Sequence, residues 1–220
     1  CTFCNNQNFR MQPGPYVRYR SIDNVLNEIE ELKTRYKASF ISISDDTFGE
    51  KNSKGENRLE QFAQGLELRN INIRFRIQMR AELIQESSAI LLTRLKKLGL
   101  DSIFIGIESG NQKDLKLYGK TATLQDNMKA LRLLNQLNIA YSIGFIMFNP
   151  YSDFERLYEN LTFLDQSEVL ITPYLLDHKL WLFNGTPIYN KVRRDGLLFD
   201  QAGVPLTNGF LYRFLDLRVY

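Results

Sequence analysis

The stretch IRFRIQMRAELIQESSAILLTRLKKLGLDSIFIGI, residues 73–107, decides the predicted fold. It begins and ends with short runs rich in Ile and Phe, Ile73–Met79 and Ser102–Ile107, which are typical of buried parallel strands. Between them, Leu83–Leu98 has the periodicity of an amphipathic helix, and Gly99 follows at the position that commonly ends a helix. This order of strand, helix and strand predicts the βα repeat of a parallel sheet.

The same alternation extends in both directions along the chain. Further apolar runs begin about 30 residues apart, and helical patterns lie between them. The predicted strands are Ser39–Ser44, Ile139–Met147 and Val169–Leu175, and the predicted helices are Ser21–Tyr36, Asn57–Arg69, Thr123–Leu137 and Phe154–Leu164. Because no G-x-G-x-x-G follows a strand, a barrel of βα units fits better than a dinucleotide-binding sheet.

We therefore predict an α/β fold, a partial (β/α)6 TIM-like barrel with parallel strands inside and helices outside. Its first strand would precede Cys1, so the chain is expected to be incomplete at its N-terminus. We expect residues 1–196 to form the core. Residues 197–220, which include Pro205 and Gly209, do not fit the repeat and are expected to begin a C-terminal extension that is itself incomplete.

The composition excludes several classes of protein. The chain has 220 residues, of which 44% are hydrophobic and 24% charged, as expected for a globular domain with a sizeable core. The formal net charge of +3 is too small to indicate a nucleic-acid or membrane-surface protein. No run of about 18 apolar residues occurs, so no transmembrane helix is expected.

The two cysteines of the chain lie together at its start, in Cys1-Thr2-Phe3-Cys4. A disulfide between them would close too small a loop to stabilise the fold much. A zinc half-site is one alternative, but no second C-x-x-C or paired histidine completes it. A thioredoxin-like pair is another, but it should start a helix, and Asn5 to Pro15 lacks a helical pattern. A third thiolate just upstream would complete an iron–sulfur loop.

Polar side chains follow several of the predicted strands, where barrel enzymes place their chemistry. Asp45 and Asp46 follow the strand at Ser39–Ser44, Arg80 follows the next, and Glu108 and Ser109 follow Ser102–Ile107. Carboxylates suit an ammonium group or ribose hydroxyls, and a guanidinium suits a carboxylate. The strand ends therefore predict a zwitterionic ligand that carries a ribose.

Each of these residues also has a purely structural interpretation. Asp45 and Asp46 could simply begin a turn, and Asn149-Pro150 after the next strand is a common turn signal. Arg80 could pair with Glu82 or Glu108. A buried Glu108 would in any case need a partner, because an unpaired buried carboxylate is costly.

His178, in LLDHKLWLF, is the sole histidine. A lone histidine is more often structural or solvent-exposed than functional. If it faces the same rim as the strand ends, it could act on a substrate as an acid or a base.

The motifs in their order resemble the radical S-adenosylmethionine superfamily, in the branch with the Elp3/MiaB/NifB-like core, and most closely its cobalamin-binding members. CTFC resembles the last part of the family motif C-x-x-x-C-x-aromatic-C. The other matching segments, in chain order, are YRSIDNVLNEIEEL, ISISDDTF, IRFRIQMRAELI, FIGIESGNQKDLKLYGK, IGFIMFNPYSD and NGTPIY.

The resemblance implies a role for each candidate residue. Two thiolates would bind a 4Fe–4S cluster whose third cysteine lies before Cys1, and the open iron would bind the amino and carboxylate groups of S-adenosylmethionine. The remaining residues would hold that molecule. Around its adenine, Phe3 would pack nearby, and Gly144, Phe145 and Phe148 would line the site. At its other end, Asp45 or Asp46 would approach the ammonium, Arg80 would reach the carboxylate, and Glu108 and Ser109 would bond the methionine or ribose. The metal ligands that the resemblance implies are Cys1 and Cys4.

The implied activity is reductive cleavage of S-adenosylmethionine to a 5′-deoxyadenosyl radical, followed by hydrogen abstraction or cobalamin-assisted methyl transfer. The implied partners are an electron donor such as flavodoxin or ferredoxin and a small-molecule or peptide substrate, with nucleic acid and membrane disfavoured. An oxygen-sensitive cluster implies the cytoplasm. Two alternatives remain: a barrel that only binds S-adenosylmethionine or a partner protein, and an enzyme with a different metal or redox thiol.

Overall fold

The computed structural model describes residues 1–6, 18–49, 57–199 and 212–219. The chain divides into two compact units. One, here called the sheet unit, comprises Arg18–Ile107 and Gln125–Gly144. The other, called the cysteine unit, comprises Cys1–Val17, Glu108–Leu124 and Phe145–Tyr220.

Four strands form one parallel sheet in the order in which they occur along the chain. Their bounds are β1 Phe40–Ser42, β2 Arg74–Arg80, β3 Leu100–Glu108 and β4 Ala140–Phe145. Alternate side chains of β2 and β3 are buried, including Phe75, Ile77, Ile103 and Ile105 at 0% exposure. The predicted α/β class is confirmed.

Helices separate the strands as the periodicity predicted. In the sheet unit they are α1 Ile22–Arg35, α2 Arg58–Leu68, α3 Ala89–Lys97 and most of α5 Leu124–Gln136. Ser21 is the N-cap of α1, and its hydroxyl accepts a hydrogen bond from the Asn24 amide. The helix predicted to begin at Leu83 begins only at Ala89, because two 3-10 turns at Ala81–Leu83 and Glu86–Ser88 come first.

Gly99 ends the third helix for two physical reasons. Its φ of +109° lies in the region that only glycine adopts without strain. A Cβ placed there would also lie 2.2 Å from the carbonyl oxygen of Ile73. The close approach lets the Gly99 carbonyl accept a hydrogen bond from Phe75, at the point where the β2–β3 register shifts.

The cysteine unit contains α4 Gln112–Leu117, α6 Phe154–Gln166, α7 Pro173–Asp177 and α8 Pro187–Arg194. A cluster of buried apolar residues forms its core: Tyr118, Ile146, Leu180, Leu182, Ile188, Val192, Leu197, Tyr212 and Phe214. Tyr212 and Phe214 therefore share a core with the segments before residue 197. The boundary between 196 and 197 stays a prediction, and Pro205 and Gly209 lie outside the described residues.

The predicted strand at Val169–Leu175 is wrong. The first part of this run has no regular structure, and Pro173 begins α7 as a helix N1 residue with a suitable fixed φ. Leu170 and Ile171 are 83% and 44% exposed, so the run is not a buried strand. Its apolar composition alone did not distinguish a strand from an exposed segment that leads into a short helix.

Across the described ranges of the chain, no helix is both long enough and apolar enough to cross a membrane.

Candidate functional site

The segment between the two cysteines is anchored through Thr2. The Thr2 amide donates to the Tyr118 carbonyl at 2.7 Å, and its hydroxyl donates to the Leu117 carbonyl at 2.7 Å. The Thr2 carbonyl accepts from the amide of Ile188 at 3.1 Å. The segment is therefore hydrogen-bonded to the end of α4 and to the first turn of α8.

Cys1 and Cys4 are not joined in a disulfide, and both residues are partly exposed. The Phe3 ring meets Tyr118 edge-on, with ring centroids 5.5 Å apart, and it packs against the core of the cysteine unit. Within the described part of the chain, no three His, Cys, Asp or Glu side chains form a group that could hold a metal ion. The described residues thus supply two thiolates on one anchored segment.

Glu108 ends β3 in an unusual backbone conformation. Its φ of +70° is uncommon for a residue with a side chain, and such conformations cluster at functional sites. The Glu108 carboxylate lies 3.7 Å from the Lys120 ammonium, and the two side chains are only 15% and 4% exposed. Burial raises the pKa of Glu108, and the nearby Lys120 charge opposes that shift.

Two main-chain groups at this strand end have partners within their own units. The Ile107 carbonyl accepts a hydrogen bond at 3.2 Å from the side chain of Asn127 in the sheet unit. The Glu108 carbonyl accepts from the Ile146 amide at 2.8 Å in the cysteine unit. These bonds satisfy the backbone where Glu108 turns out of the regular strand conformation.

Ser109 is fully buried, and its hydroxyl is part of a polar network. The hydroxyl donates to the Asn160 side-chain oxygen at 2.8 Å, with the Asp114 carboxylate 3.4 Å away, and it accepts from the Asn111 amide at 3.0 Å. Ser109 was predicted to bond the methionine or ribose of S-adenosylmethionine. That role stays a prediction, and in this structure the hydroxyl bonds protein groups.

Asp114 is the charged centre of the same network and is 0% exposed. Arg156 donates to its carboxylate at 2.8 Å. Burial raises the pKa of Asp114, whereas the Arg156 charge and hydrogen bonds from Asn149 and Ser109 lower it. Because Asp114 comes from α4 and Arg156 from α6, the pair joins two helices of the cysteine unit.

Tyr118 connects this network to the cysteine segment. Its ring is fully buried, and its hydroxyl accepts a hydrogen bond from the Asn149 side chain at 2.9 Å. Burial raises the pKa of Tyr118 well above the ordinary tyrosine value. Asn149 also begins a turn, because its side-chain oxygen accepts from the Tyr151 amide. The structural interpretation of Asn149-Pro150 as a turn is therefore confirmed.

The segment predicted to line the adenine site follows β4. Phe145 is buried and stacks on Phe163, with centroids 6.3 Å apart. The amides of Met147 and Phe148 both donate to the His178 carbonyl, and the Phe148 ring meets Phe214 at 6.2 Å. Gly144 lies on β4 in the sheet unit. The adenine-lining role of these residues stays a prediction.

Asp45 and Asp46 lie in the sheet unit, in the turn after β1. The Asp45 carboxylate accepts a hydrogen bond from the Thr47 amide at 3.1 Å, so it does begin a turn. The Asp46 side chain is exposed. A turn role for Asp45 and a ligand role for either carboxylate are compatible, since a carboxylate accepts several hydrogen bonds.

Arg80 ends β2 in the sheet unit, and its side chain is 35% exposed. Its guanidinium lies 3.8 Å from the carboxylate of Glu82. Of the two structural partners considered from the sequence, the structure has the Glu82 pair. At that distance the two charged groups are too far apart for a hydrogen bond. The role of Arg80 in binding a ligand carboxylate stays a prediction.

His178 follows α7 and is partly buried. Its ring lies 4.6 Å from the ring of Tyr174, and burial lowers its pKa below the ordinary histidine value. Its carbonyl, rather than its imidazole, bonds to the segment after β4. That backbone contact does not depend on the imidazole, so whether the His178 side chain is structural or acts as an acid or base stays a prediction.

Sequence reasoning missed most of the polar network. The missed residues of the network are Asn111, Asp114, Tyr118, Arg156 and Asn160. Lys120, which pairs with Glu108, and Asn127, which bonds the Ile107 carbonyl, were also missed. One signal was present in SGNQKDLKLYGK, residues 109–120, where Asn111 caps α4 by accepting from the Asp114 amide. The partners on α6 could not be identified, because they are more than 40 residues away along the chain.

With this fold and these cysteines established, the comparison with known families defines the class. Residues 1–164 match the Radical SAM superfamily, and the chain belongs to that family. It is a family of enzymes whose cofactors are a 4Fe–4S cluster and S-adenosylmethionine. The resemblance identified from the sequence is confirmed.

Individual members of the family show which enzymes the chain is similar to. The chain is 32% identical over 189 residues to 4′-phospho-dehydrooxetanocin synthase from Priestia megaterium, covering 79% of this chain and 25% of that protein. The cobalamin-dependent S-adenosylmethionine radical enzyme OxsB, solved with aqua-cobalamin and S-adenosylmethionine, superposes with a TM-score of 0.77 at 24% identity. That match covers 90% of this chain and 35% of OxsB.

A second solved structure has the same fold. The radical S-adenosylmethionine methyltransferase TsrM from Kitasatospora setae, with cobalamin and a [4Fe-4S] cluster, has a TM-score of 0.65 at 17% identity. The match covers 89% of this chain and 38% of TsrM. The chain therefore spans about a quarter to two fifths of the length of these relatives.

Proposed function

We propose that this chain is the core of a radical S-adenosylmethionine enzyme that reductively cleaves S-adenosylmethionine for hydrogen abstraction or cobalamin-assisted methyl transfer. The observation that carries the proposal is that Cys1 and Cys4, which are partly exposed and not joined in a disulfide, lie on one anchored segment. That segment opens the part of the chain that matches the family.

Cys1 and Cys4 fit the cluster as two of its three thiolate ligands, because soft thiolates suit iron–sulfur clusters and these thiols are not joined in a disulfide. When bound, the cluster supplies the electron that cleaves the sulfonium bond of S-adenosylmethionine. The chain contributes the position of the thiolates through Thr2 and the apolar cover of Phe3 on one side of the segment.

In this proposal, the strand-end residues orient S-adenosylmethionine by charge. Glu108 accepts hydrogen bonds from the ribose or the methionine amino group, and the Lys120 charge 3.7 Å away opposes the rise in the Glu108 pKa that burial causes. Asp45 or Asp46 attracts the ammonium, and Arg80 exchanges its loose 3.8 Å pair with Glu82 for the ligand carboxylate.

The cobalamin-assisted branch is supported by likeness to OxsB and TsrM, both of which bind cobalamin. In that branch cobalamin would be held by residues beyond this core. In either branch the enzyme needs a one-electron donor of the flavodoxin or ferredoxin class. We propose no nucleic-acid partner, in keeping with the net charge of +3.

The test is anaerobic reconstitution with iron and sulfide of the protein together with the residues encoded before Cys1. The family motif has a further cysteine there. We expect the reduced protein to give a 4Fe–4S electron paramagnetic resonance signal that shifts on adding S-adenosylmethionine. The same reduced sample should release 5′-deoxyadenosine, measured by mass spectrometry. In the methyl-transfer branch, reduced cobalamin added as the methyl acceptor should instead give S-adenosylhomocysteine.

Cys4→Ala should lose the signal, and Thr34→Val is the matched control because its hydroxyl bonds only carbonyls of its own helix. Zinc in place of iron on metal analysis would favour the alternative metal enzyme. A wild-type protein that binds S-adenosylmethionine but takes up no cluster would favour the non-catalytic binding barrel. Either result contradicts the proposed function.

A further inference from the structure

Thr2 satisfies backbone groups at the ends of two different helices. The carbonyls of Leu117 and Tyr118 lie at the end of α4, where helices leave acceptors without intrahelical partners. Thr2 donates a hydrogen bond to each of them, from its hydroxyl to the Leu117 carbonyl and from its amide to the Tyr118 carbonyl. Ile188 lies in the first turn of α8, where donors lack partners, and its amide bonds the Thr2 carbonyl.

The packing around Thr2 is as specific as its hydrogen bonds. Gly119 follows Tyr118 with a φ of +65°, and a Cβ there would lie 3.0 Å from the Thr2 methyl carbon. That distance is tighter than an ordinary van der Waals contact. The methyl group therefore rests against a glycine that leaves just enough room for it, while the hydroxyl points to Leu117.

The end of α4 that contacts Thr2 is itself held by side-chain contacts. The Tyr118 ring is fully buried, and its hydroxyl is bonded by Asn149. Asp114, one turn earlier on α4, is paired with Arg156. The end of α4 is thus held by side chains from two other segments of the same unit.

We infer that Thr2 is a positioning residue that holds the Cys1–Cys4 segment in the conformation that the cluster requires, before the cluster binds. Preorganised ligands bind metals more tightly, because less conformational freedom is lost on binding. Thr2 does not ligate iron; it acts through the two cysteines that flank it. The inference rests on the family cofactor assigned to these cysteines.

The first test follows the segment without a cluster, by hydrogen exchange of the apo chain. Thr2→Val keeps the branched shape but removes the hydroxyl, which leaves the Leu117 carbonyl without that donor. We expect the amide of Ile188 to exchange roughly 3- to 10-fold faster, the effect of one net hydrogen bond. Thr2→Ser retains the hydroxyl and should exchange nearly as the wild type does.

Gly119→Ala perturbs the same contact from the side of α4. The added Cβ would lie too close to the Thr2 methyl group, and an alanine at this position would have an unfavourable positive φ. It should also speed exchange at Ile188. Thr34→Val removes an exposed hydroxyl that bonds the Glu30 carbonyl, and it should leave exchange at Ile188 unchanged. Thermal melts of each variant identify any loss of the whole fold.

The second test measures iron release. Wild type, Thr2→Val and Thr2→Ser, each with the residues encoded before Cys1, are reconstituted, and transfer of iron to a ferrous chelator is timed. We expect Thr2→Val to lose iron about 3- to 10-fold faster and to broaden the cluster signal, and Thr2→Ser to restore both. Unchanged exchange at Ile188, or faster exchange with unchanged iron release, would overturn the inference.

The two arms separate this inference from the proposed function. If the wild type takes up no iron, the proposed function fails. The positioning role can then still be tested without the cluster, by measuring hydrogen exchange at Ile188 and the alkylation rate of Cys4 in the apo chain. Equal Cys4 alkylation rates in wild type and Thr2→Val would contradict it.

Discussion

The cysteine unit contains buried ion pairs, whereas a cluster of ion pairs in the sheet unit lies on the surface. In the cysteine unit, Asp114 is 0% exposed in its pair with Arg156, and Lys120 is 4% exposed in its pair with Glu108. In the sheet unit, Arg94 bridges the carboxylates of Glu60 and Glu67 on the surface, and these acids are 50% and 43% exposed. All are ion pairs, but they lie in very different surroundings.

The difference lies in what remains when one partner is removed. A surface charge that loses its partner is solvated by water, so the pair itself is worth little. A buried charge that loses its partner stays in a medium that solvates it poorly, so the loss is large. The comparison predicts a graded series of losses in stability. Each of the following experiments could contradict that order.

The largest effect is expected for Asp114→Ala. This change removes the 2.8 Å partner of the Arg156 guanidinium, which is only 18% exposed, and leaves it the longer 3.6 Å contact with Asp153. It also removes the more distant of the two acceptors near the Ser109 hydroxyl. We expect the free energy of unfolding to fall by about 3–5 kcal/mol. Urea denaturation measures this. Glu155→Ala, which breaks an exposed pair with Lys113 in the same unit, is the control.

Tyr118→Phe should have the next largest effect. It removes only the hydroxyl that accepts from Asn149, and it leaves that buried amide donor without this partner. We expect a loss of about 1–3 kcal/mol in the free energy of unfolding, by the same denaturation measurement. A loss as large as that of Asp114→Ala would mean that the neutral part of the network, rather than its ion pair, dominates stability.

Glu108→Gln tests the buried carboxylate through pH, with a smaller effect. Because burial raises the pKa of Glu108 in the folded state, its contribution to stability is fully present below the ordinary glutamate pKa. This contribution decreases as the pH rises from the ordinary glutamate pKa through the raised pKa of Glu108 in the folded state. The wild-type free energy of unfolding, minus that of Glu108→Gln, should therefore decrease over this window and then level off. An increase would show that Lys120 outweighs burial.

The smallest effect is expected for Arg94→Ala. Its hydrogen bonds to Glu67 lower the pKa of that carboxyl, but the pair is exposed to solvent and screened by salt. We expect no change in the denaturation midpoint outside experimental error at physiological ionic strength. A loss approaching that of Tyr118→Phe would remove the distinction between the two units.

Local signals in the sequence predicted much of the fold correctly. Ser21 as the cap of α1 and Gly99 after α3 are short-range features, because they depend on hydrogen bonds and backbone angles within a few residues. The buried runs of β2 and β3 follow from their Ile and Phe content. The error at Val169–Leu175 arose where composition was the only signal, since exposed Leu170 has the same hydrophobicity as a buried leucine.

The candidate site was only partly predictable for the same reason. The C-x-x-C spacing and the acid after a buried strand made Cys1, Cys4 and Glu108 candidates from local sequence alone. That Lys120 would be the partner of Glu108 depended on the path of the chain through α4. The structural partner of Arg80 was narrowed to two acids, and the structure has Glu82.

The sequence by itself determined the alternation of strands and helices, the paired thiols and the family, because each depends on residue types at short, regular spacings. The tertiary structure alone decided that Thr2 would join the ends of two helices and that Asp114 would meet Arg156. Those contacts join segments far apart along the chain. They form only when packing brings distant polar groups together and excludes water from them, which no local pattern encodes.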